Sequence, residues 1–451
     1  RALGTDQVYA VFFVGAMFLA AGTAIFKPGI QGLLANRISK DAGPLGWGLF
    51  YQMVNVGAFV GPLLAAYLRV LDWEYVFIAC SAAIALNFIP LFMFKEPARP
   101  VAEGDTLPGP FRMLFESVRG LLEPRIFFYT ISFCGFWLMN MQFFDILPNF
   151  IDDWIDSRAA ANMLMGIFGE GNIPVVNGGN LTQEWMLNVN ALLISIFAFL
   201  AGYATGRLSS LSNIALGTAL AIIAIFGLMG SMSGWWVLGC IVLYSIGEMT
   251  AAPSNFRYLN RIAPAGKKGL YMGYSNFTVG IGWSIGSIMA GHLYHNNGDK
   301  AELARRHLVD KLGMDAGEVA ALSKSDVLPT LQDQLGMDAD ATRQLLWDTY
   351  DPYSMWLIFG LIGVGSLVAL LIYNRFVVAA DANPNHSFNV RGDMWVKAFL
   401  YPICAIMVVS CWFFPSTGLI LNTLFFCMMG VIAFLQKKGV VPPSNTTPGA
   451  S

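Results

Sequence analysis

Eleven stretches of this chain run for roughly the twenty residues that cross a bilayer, almost without charge, and that pattern decides most of what it can become. They lie near 8–33, 48–69, 75–94, 126–147, 186–206, 214–230, 235–256, 270–294, 353–373, 395–414 and 417–435. A helix rises 1.5 Å per residue, so each is long enough to span a hydrocarbon core of ~30 Å. Asp, Glu, Lys and Arg make up only 12% of the 451 residues and apolar residues 56%. That is too little charge to coat a water-soluble globule, where about a quarter of residues are charged. The expectation is an all-α, polytopic membrane protein of a cell membrane. A net charge of -2 excludes the basic surface that a nucleic-acid partner requires.

Basic loop residues stay on the cytoplasmic side, and here they alternate. One side collects Arg37, Lys40, Lys95, Arg99, Arg112, Arg119, Arg125, Arg207, Arg257, Arg261, Lys267, Lys268, Arg375, Arg391, Lys397, Lys437 and Lys438. The other has only Arg1, Arg69 and Arg158 in its short segments. Arg1 is thereby placed outside, with no starting Met and no signal peptide before the first span, so the chain is expected to lack its natural beginning.

Three segments leave the bilayer. Residues 95–125 open Pro-rich and become amphipathic, with Phe111, Leu114, Phe115, Val118 and Leu122 at helical spacing, which predicts a cytoplasmic linker helix. Residues 151–184, with Asp152, Asp153 and Asp156, read as a solvated acidic loop rather than a metal site. Residues 296–351 form a hydrophilic external insertion containing LGMD twice, at 312–315 and 335–338. Each Asp can cap a following helix, and Asp315 with Glu318 has capping-box spacing, so a small helical hairpin is expected. Asn180-Leu181-Thr182 is a glycosylation sequon on the external side.

Six cysteines, 80, 134, 240, 404, 411 and 427, lie within the spans without CxxC or a neighbouring His, so they read as small buried residues and not as metal ligands or disulfides. HExxH and Walker patterns do not occur, and nothing here resembles an enzyme or calls for a cofactor.

An ionisable group at membrane depth costs ~2.5–3.5 kcal/mol on insertion scales and needs a reason. Two such groups are Lys27, in GTAIFKPGI, and Glu248, in YSIGEMTAAPSN. The string Gly22-Thr23-Ala24-Ile25-Phe26-Lys27-Pro28, with Phe50-Tyr51-Gln52-Met53-Val54-Asn55-Val56-Gly57-Ala58-Phe59, resembles the proton-coupled oligopeptide transporter family of the major facilitator superfamily. That family reads close to GxGxFKP and FYxxINxGAF on its fourth and fifth helices. Gly247-Glu248 with Pro253, then Ile262-Ala263-Pro264 and Gly269 through Met272-Gly273, are similar to its tenth helix and the entry to its eleventh. Trp185, Leu187 and Asn190 resemble the start of its eighth.

The resemblance implies a major facilitator fold lacking its first three helices and carrying two extra C-terminal ones. The expected domains are the rest of the N-terminal bundle (1–94), the linker (95–125), a C-terminal bundle (126–377) holding the insertion, the two added helices (378–438) and a disordered tail (439–451). It also implies proton-coupled symport of small peptides by alternating access, with substrate, protons and lipid as partners. Lys27 and Glu248 would serve proton coupling or substrate, and Tyr51, Asn55 and Asn190 would hydrogen-bond substrate; amides and phenols both donate and accept, which suits a peptide backbone. Each also has a plain structural reading. Lys27 can snorkel to the cytoplasmic headgroups, Glu248 can be an interhelical carboxyl, and the others can be helix-to-helix glue. The family tends to carry FWxxxEQ on its seventh helix, whereas this chain reads Phe136-Trp137-Leu138-Met139-Asn140-Met141-Gln142. Met141 stands where the acid belongs, and Asp145, one turn on, is the candidate replacement beside Gln142. A carrier of another small polar metabolite, or a membrane sensor that transports nothing, remains open. Gly57 with Gly61 and Gly282 with Gly286 have the GxxxG spacing of close helix packing.

Overall fold

The computed structural model describes residues 5–39, 42–93, 109–170, 172–176, 178–264, 266–378, 396–413 and 417–438. The predicted tail 439–451 and the linker's opening, 95–108, lie outside the described residues. The apolar stretches fall on helices: α1 (Thr5–Arg37), α2 (Gly43–Leu71), α3 (Trp73–Ala85) and α4 (Phe88–Met93). The third stretch divides between α3 and α4 because Pro90 cannot donate to the carbonyl of Leu86 and its ring crowds it.

The linker helix α5 (Pro110–Gly120) is amphipathic as read. Arg112 and Glu116 are exposed and paired at 3.1 Å, while Val118 is buried with Leu121 and Leu122 just beyond the helix. Tyr274 donates to the carbonyl of Ser117 at 2.8 Å, and a Cβ added at Gly120 would lie 2.3 Å from that hydroxyl. This helix is therefore packed onto protein rather than resting freely on lipid.

The fourth apolar stretch is not one helix. It breaks into α6 (Pro124–Asn140), α7 (Gln142–Asp145) and α8 (Leu147–Trp154). Pro148 explains the second break, since it lacks the amide that would bond back to Phe144. The segment expected as a solvated loop is largely folded. Trp154 and Ile155 are buried, followed by α9 (Arg158–Phe168) and a two-stranded hairpin, β1 (Val175–Val176) and β2 (Asn180–Leu181), with Val175 opposite Leu181. Asp156 takes Arg158, whose hydrogen bonds hold the carboxyl below the usual carboxylate range.

Then come α10 (Gln183–Ala204), α11 (Ser210–Gly227), α12 (Gly234–Ile262) and α13 (Lys268–Asn297). Helices α11 and α12 press together where Gly217 meets Gly247. A Cβ on Gly217 would stand 2.4 Å from the carbonyl of Gly247, and one on Gly247 2.7 Å from that of Gly217. Gly282 makes the same kind of approach to α6, 2.5 Å from the carbonyl of Cys134, whereas Gly57 and Gly61 face open space. Among the described residues, identical GxxxG spacing thus marks a helix crossing in α13 and none in α2.

The insertion folds as four helices rather than a hairpin: α14 (Lys300–Asp310), α15 (Ala316–Ala321), α16 (Lys324–Leu335) and α17 (Ala339–Tyr350). Both LGMD strings perform one task. Gly313 (φ +69°) and Gly336 (φ +63°) supply the left-handed residue after α14 and α16. Asp315 then accepts from the amides of Gly317 and Glu318, and Asp338 from that of Ala341. Leu303, Leu308, Val327, Leu331 and Leu346 fill its core. Trp154 of α8 donates to Gly298 at 2.8 Å, Lys300 to the carbonyl of Asp153 at 2.7 Å, and Arg158 to Asp340 at 2.9 Å, which moors the insertion to α8, α9 and α13. Asp338→Ala is expected to cost about 1 kcal/mol by loss of its cap; hydrogen exchange at the Ala341 amide should rise, and unchanged protection there would contradict the cap.

Last come α18 (Met355–Tyr373), α19 (Tyr401–Phe413) and α20 (Thr417–Lys437). Among the described residues six helical stretches are both long and apolar enough to cross a membrane: Ala10–Arg37, Pro124–Asp145, Gln183–Ala204, Ser210–Gly227, Gly234–Ile262 and Pro352–Val378. The chain is an all-α, multi-pass membrane protein. Its cysteines are unpaired, and among the described residues no cluster could hold a metal.

Candidate functional site

Helix α12 places Glu248 at the centre of the molecule. Its backbone is held against α11 by the Gly217–Gly247 approach immediately before the acid, and Pro253, five residues on, leaves the Met249 carbonyl without its helical donor. Glu248 is only 6% exposed. Tyr51 of α2 donates to Glu248 Oε1 at 2.6 Å, and the amide of Asn190 of α10 donates to Oε2 at 3.0 Å. That amide also reaches Ser245 Oγ at 3.0 Å, one turn before Glu248. The carboxyl thus has two neutral donors from two other helices, and among the described residues no cation pairs with it.

Three sequence-predicted residues, Tyr51, Asn190 and Glu248, are brought into one hydrogen-bonded group. Asn55 stands a turn above Tyr51 on α2, 9% exposed, and donates to the Tyr51 carbonyl at 3.0 Å. Lys27 is not part of the group. It is exposed on α1, one turn from Gln31, and makes no hydrogen bond or ion pair among the described residues.

Gln142 and Asp145 occupy the broken part of the fourth stretch. Gln142 is fully buried, its amide donating to the Leu138 carbonyl at 2.7 Å while Oε1 has no donor. A Cβ on Gly286 of α13 would lie 2.6 Å from its nitrogen. Asp145 accepts from the Trp283 indole, 3.1 Å to each oxygen, and from Ser287 at 2.6 Å. Ser245, Trp283 and Ser287 escape sequence reading; the last two stand one helical turn apart on α13, a spacing that marks a shared face but names no partner.

Helices α1 and α2 meet α10, α12 and α13 at the end of the molecule that carries the basic loops. There Asn276 donates to Gln31 at 2.9 Å, Lys268 to the Ala35 carbonyl at 2.8 Å, and Trp47 stacks on Phe256 at 5.3 Å. A Cβ on Gly202 would sit 2.7 Å from the Pro44 carbonyl, and one on Gly32 2.8 Å from Gly269 Cα. Beyond the closed end Val54, Val60 and Leu64 of α2 are exposed. Tyr51 lies on α2 between its closed end and this exposed part.

Residues 2–179 match the model described as Major Facilitator Superfamily. The chain is similar to Multidrug resistance protein MdtH of Salmonella typhimurium, 23% identical over 277 residues that cover 60% of this chain and 61% of that one. It is also similar to the protein of that name from Salmonella paratyphi B, 24% identical over 278 residues with the same coverage. The chain thus spans 61% of the length of the curated relatives it matches. Together with the all-helical, multi-pass architecture, these matches support the major facilitator superfamily as the one this chain resembles.

Proposed function

We propose that the chain carries the moving parts of a secondary transporter that passes a small polar solute across a membrane by alternating access, with proton-coupled uptake of di- or tripeptides as the first reading. The observation that carries it is the bridge Tyr51–Glu248–Asn190. A titratable group is shared between α2 on one side and α10 and α12 on the other. Parting the helices at their closed end breaks the phenol-to-carboxyl bond and leaves a buried acid short of a donor. A proton is the simplest charge that can neutralise it, so loading the acid and opening the gap become linked steps. On this reading residues 1–94 and 126–377 are the two bundles that rock against each other, and Asn55 and Gln142 offer amide groups to substrate.

A second reading, export of another small molecule, is favoured by the name multidrug resistance protein on the relatives. The complete protein in proteoliposomes separates the two. With an inward proton gradient, labelled dialanine should accumulate, and a protonophore should collapse the accumulation. Gradient-driven ethidium movement without dialanine uptake would replace the first reading by the second. Ligand binding without flux of either solute would end both and leave a sensor.

A further inference from the structure

Asp145 lies on the seam between α7 and α13, 138 residues before Trp283 in sequence yet bonded to it. Helix α13 meets α1 through Gly269 and Asn276. A seven-residue step keeps nearly the same helix face, drifting by only ~20°, so the next position on that face is Trp283. Trp283 is 44% exposed, and α1 residues from Val11 to Phe26 are exposed as well. The indole, with Asp145 bonded to it, therefore lies on the face of α13 that turns towards α1.

The chemistry of this corner is one-sided. Asp145 is held by two neutral donors, the Trp283 indole N–H shared between its two oxygens and the Ser287 hydroxyl, and is partly open, and among the described residues no Lys, Arg or His pairs with it. One turn back along the same seam, Gln142 Oε1 is wholly buried and has no donor. An exposed aromatic ring beside an anchored carboxylate, with a spare carbonyl behind, is the arrangement that attracts an ammonium group: the ring quadrupole and the carboxylate both favour a cation.

Resting on the transport reading for its role, we propose that Asp145 with Trp283 and Ser287 forms a binding subsite for an organic ammonium group of the transported solute, separate from the Tyr51–Glu248 bridge. Ser287 and the indole N–H orient the carboxylate, and the ring face is left for the cation.

The test is equilibrium dialysis of labelled phenyltrimethylammonium against the complete protein in nanodiscs, with tert-butylbenzene, its uncharged isostere, as competitor. Asp145→Asn is expected to weaken binding about tenfold, the scale of a lost charged contact. Trp283→Leu should weaken it about fivefold and Trp283→Phe less, in line with the smaller quadrupole of phenylalanine. Asp145→Glu should restore much of the affinity, and thermal unfolding of each variant reports whether it folds. Equal affinity of the wild type, Asp145→Asn and Trp283→Leu would overturn the proposal, as would no binding to the wild type or equal competition by tert-butylbenzene. Because binding is read without flux, cation binding that survives in a protein that moves no solute would sink the transport reading and keep this subsite. Transport without cation binding would do the reverse.

Discussion

Glu248→Gln in the complete protein is expected to abolish uphill accumulation while leaving exchange of substrate across the membrane in place. One proton moving through 100 mV carries ~2.3 kcal/mol, worth a concentration ratio of about fifty. On the proposed mechanism the variant lacks the group that takes that proton, so its ratio should fall to about one. The geometry makes this a clean substitution. Tyr51 can donate or accept, so it can turn to meet either end of a carboxamide, and Asn190 keeps an acceptor in Ser245 Oγ. The fold and the bridge should therefore survive. Counterflow of labelled substrate, measured beside gradient-driven uptake in the same vesicles, separates coupling from binding. Wild-type accumulation by the variant would remove Glu248 from the proposed mechanism.

The second large effect is mechanical. Gly282→Ala should destabilise the protein by roughly 3 kcal/mol or more, the upper range for overpacking. The new methyl would lie 2.5 Å from the Cys134 carbonyl and 2.9 Å from the Leu138 amide, and backbone cannot move aside as a flexible side chain does. Helices α6 and α13 would have to part, loosening Gln142 against Gly286. Gly57→Ala in the same chain meets nothing within 4 Å and should be neutral, or gain up to about 1 kcal/mol from helix propensity. Unfolding in detergent compares the two. Equal midpoints for both variants would show that α6 and α13 do not approach so closely at Gly282.

That pair of glycines also shows what the sequence could and could not reveal. Gly57/Gly61 and Gly282/Gly286 share one spacing, yet which pair lies at a crossing depends on where other helices run. No local pattern encodes that. Features closed within a few residues were legible. Asp315 caps the helix that its capping-box spacing announced, and α5 turns Val118 inward as its periodicity required, whereas the third stretch, read as one span, divides at Pro90. The two LGMD strings were visible as a repeat, but the hairpin expected from them undercounted the helices they stop and start.

The site divides in the same way. Glu248 stood out because an acid at membrane depth is costly, and Tyr51 and Asn190 through likeness to a family. That the three meet is a statement about contacts 197 and 58 residues long. Ser245 drew no notice, since a hydroxyl that bonds its own helix at the Ile241 carbonyl is inexpensive anywhere in a span. Asp145 was found for its charge alone. Its partners Trp283 and Ser287 look ordinary in an apolar helix rich in small residues, and only the fold shows that they converge on it.

The insertion is tied to the protein beneath it by an indole, an ammonium and a guanidinium, at α8, α9 and the end of α13. A body fastened so cannot flap on its own; it can only ride. On the proposed mechanism, whatever tilting α8 and α13 undergo is carried outward by a well-packed rigid knob, where a bound antibody fragment or an attached spin label would follow the rocking below without touching the solute's path.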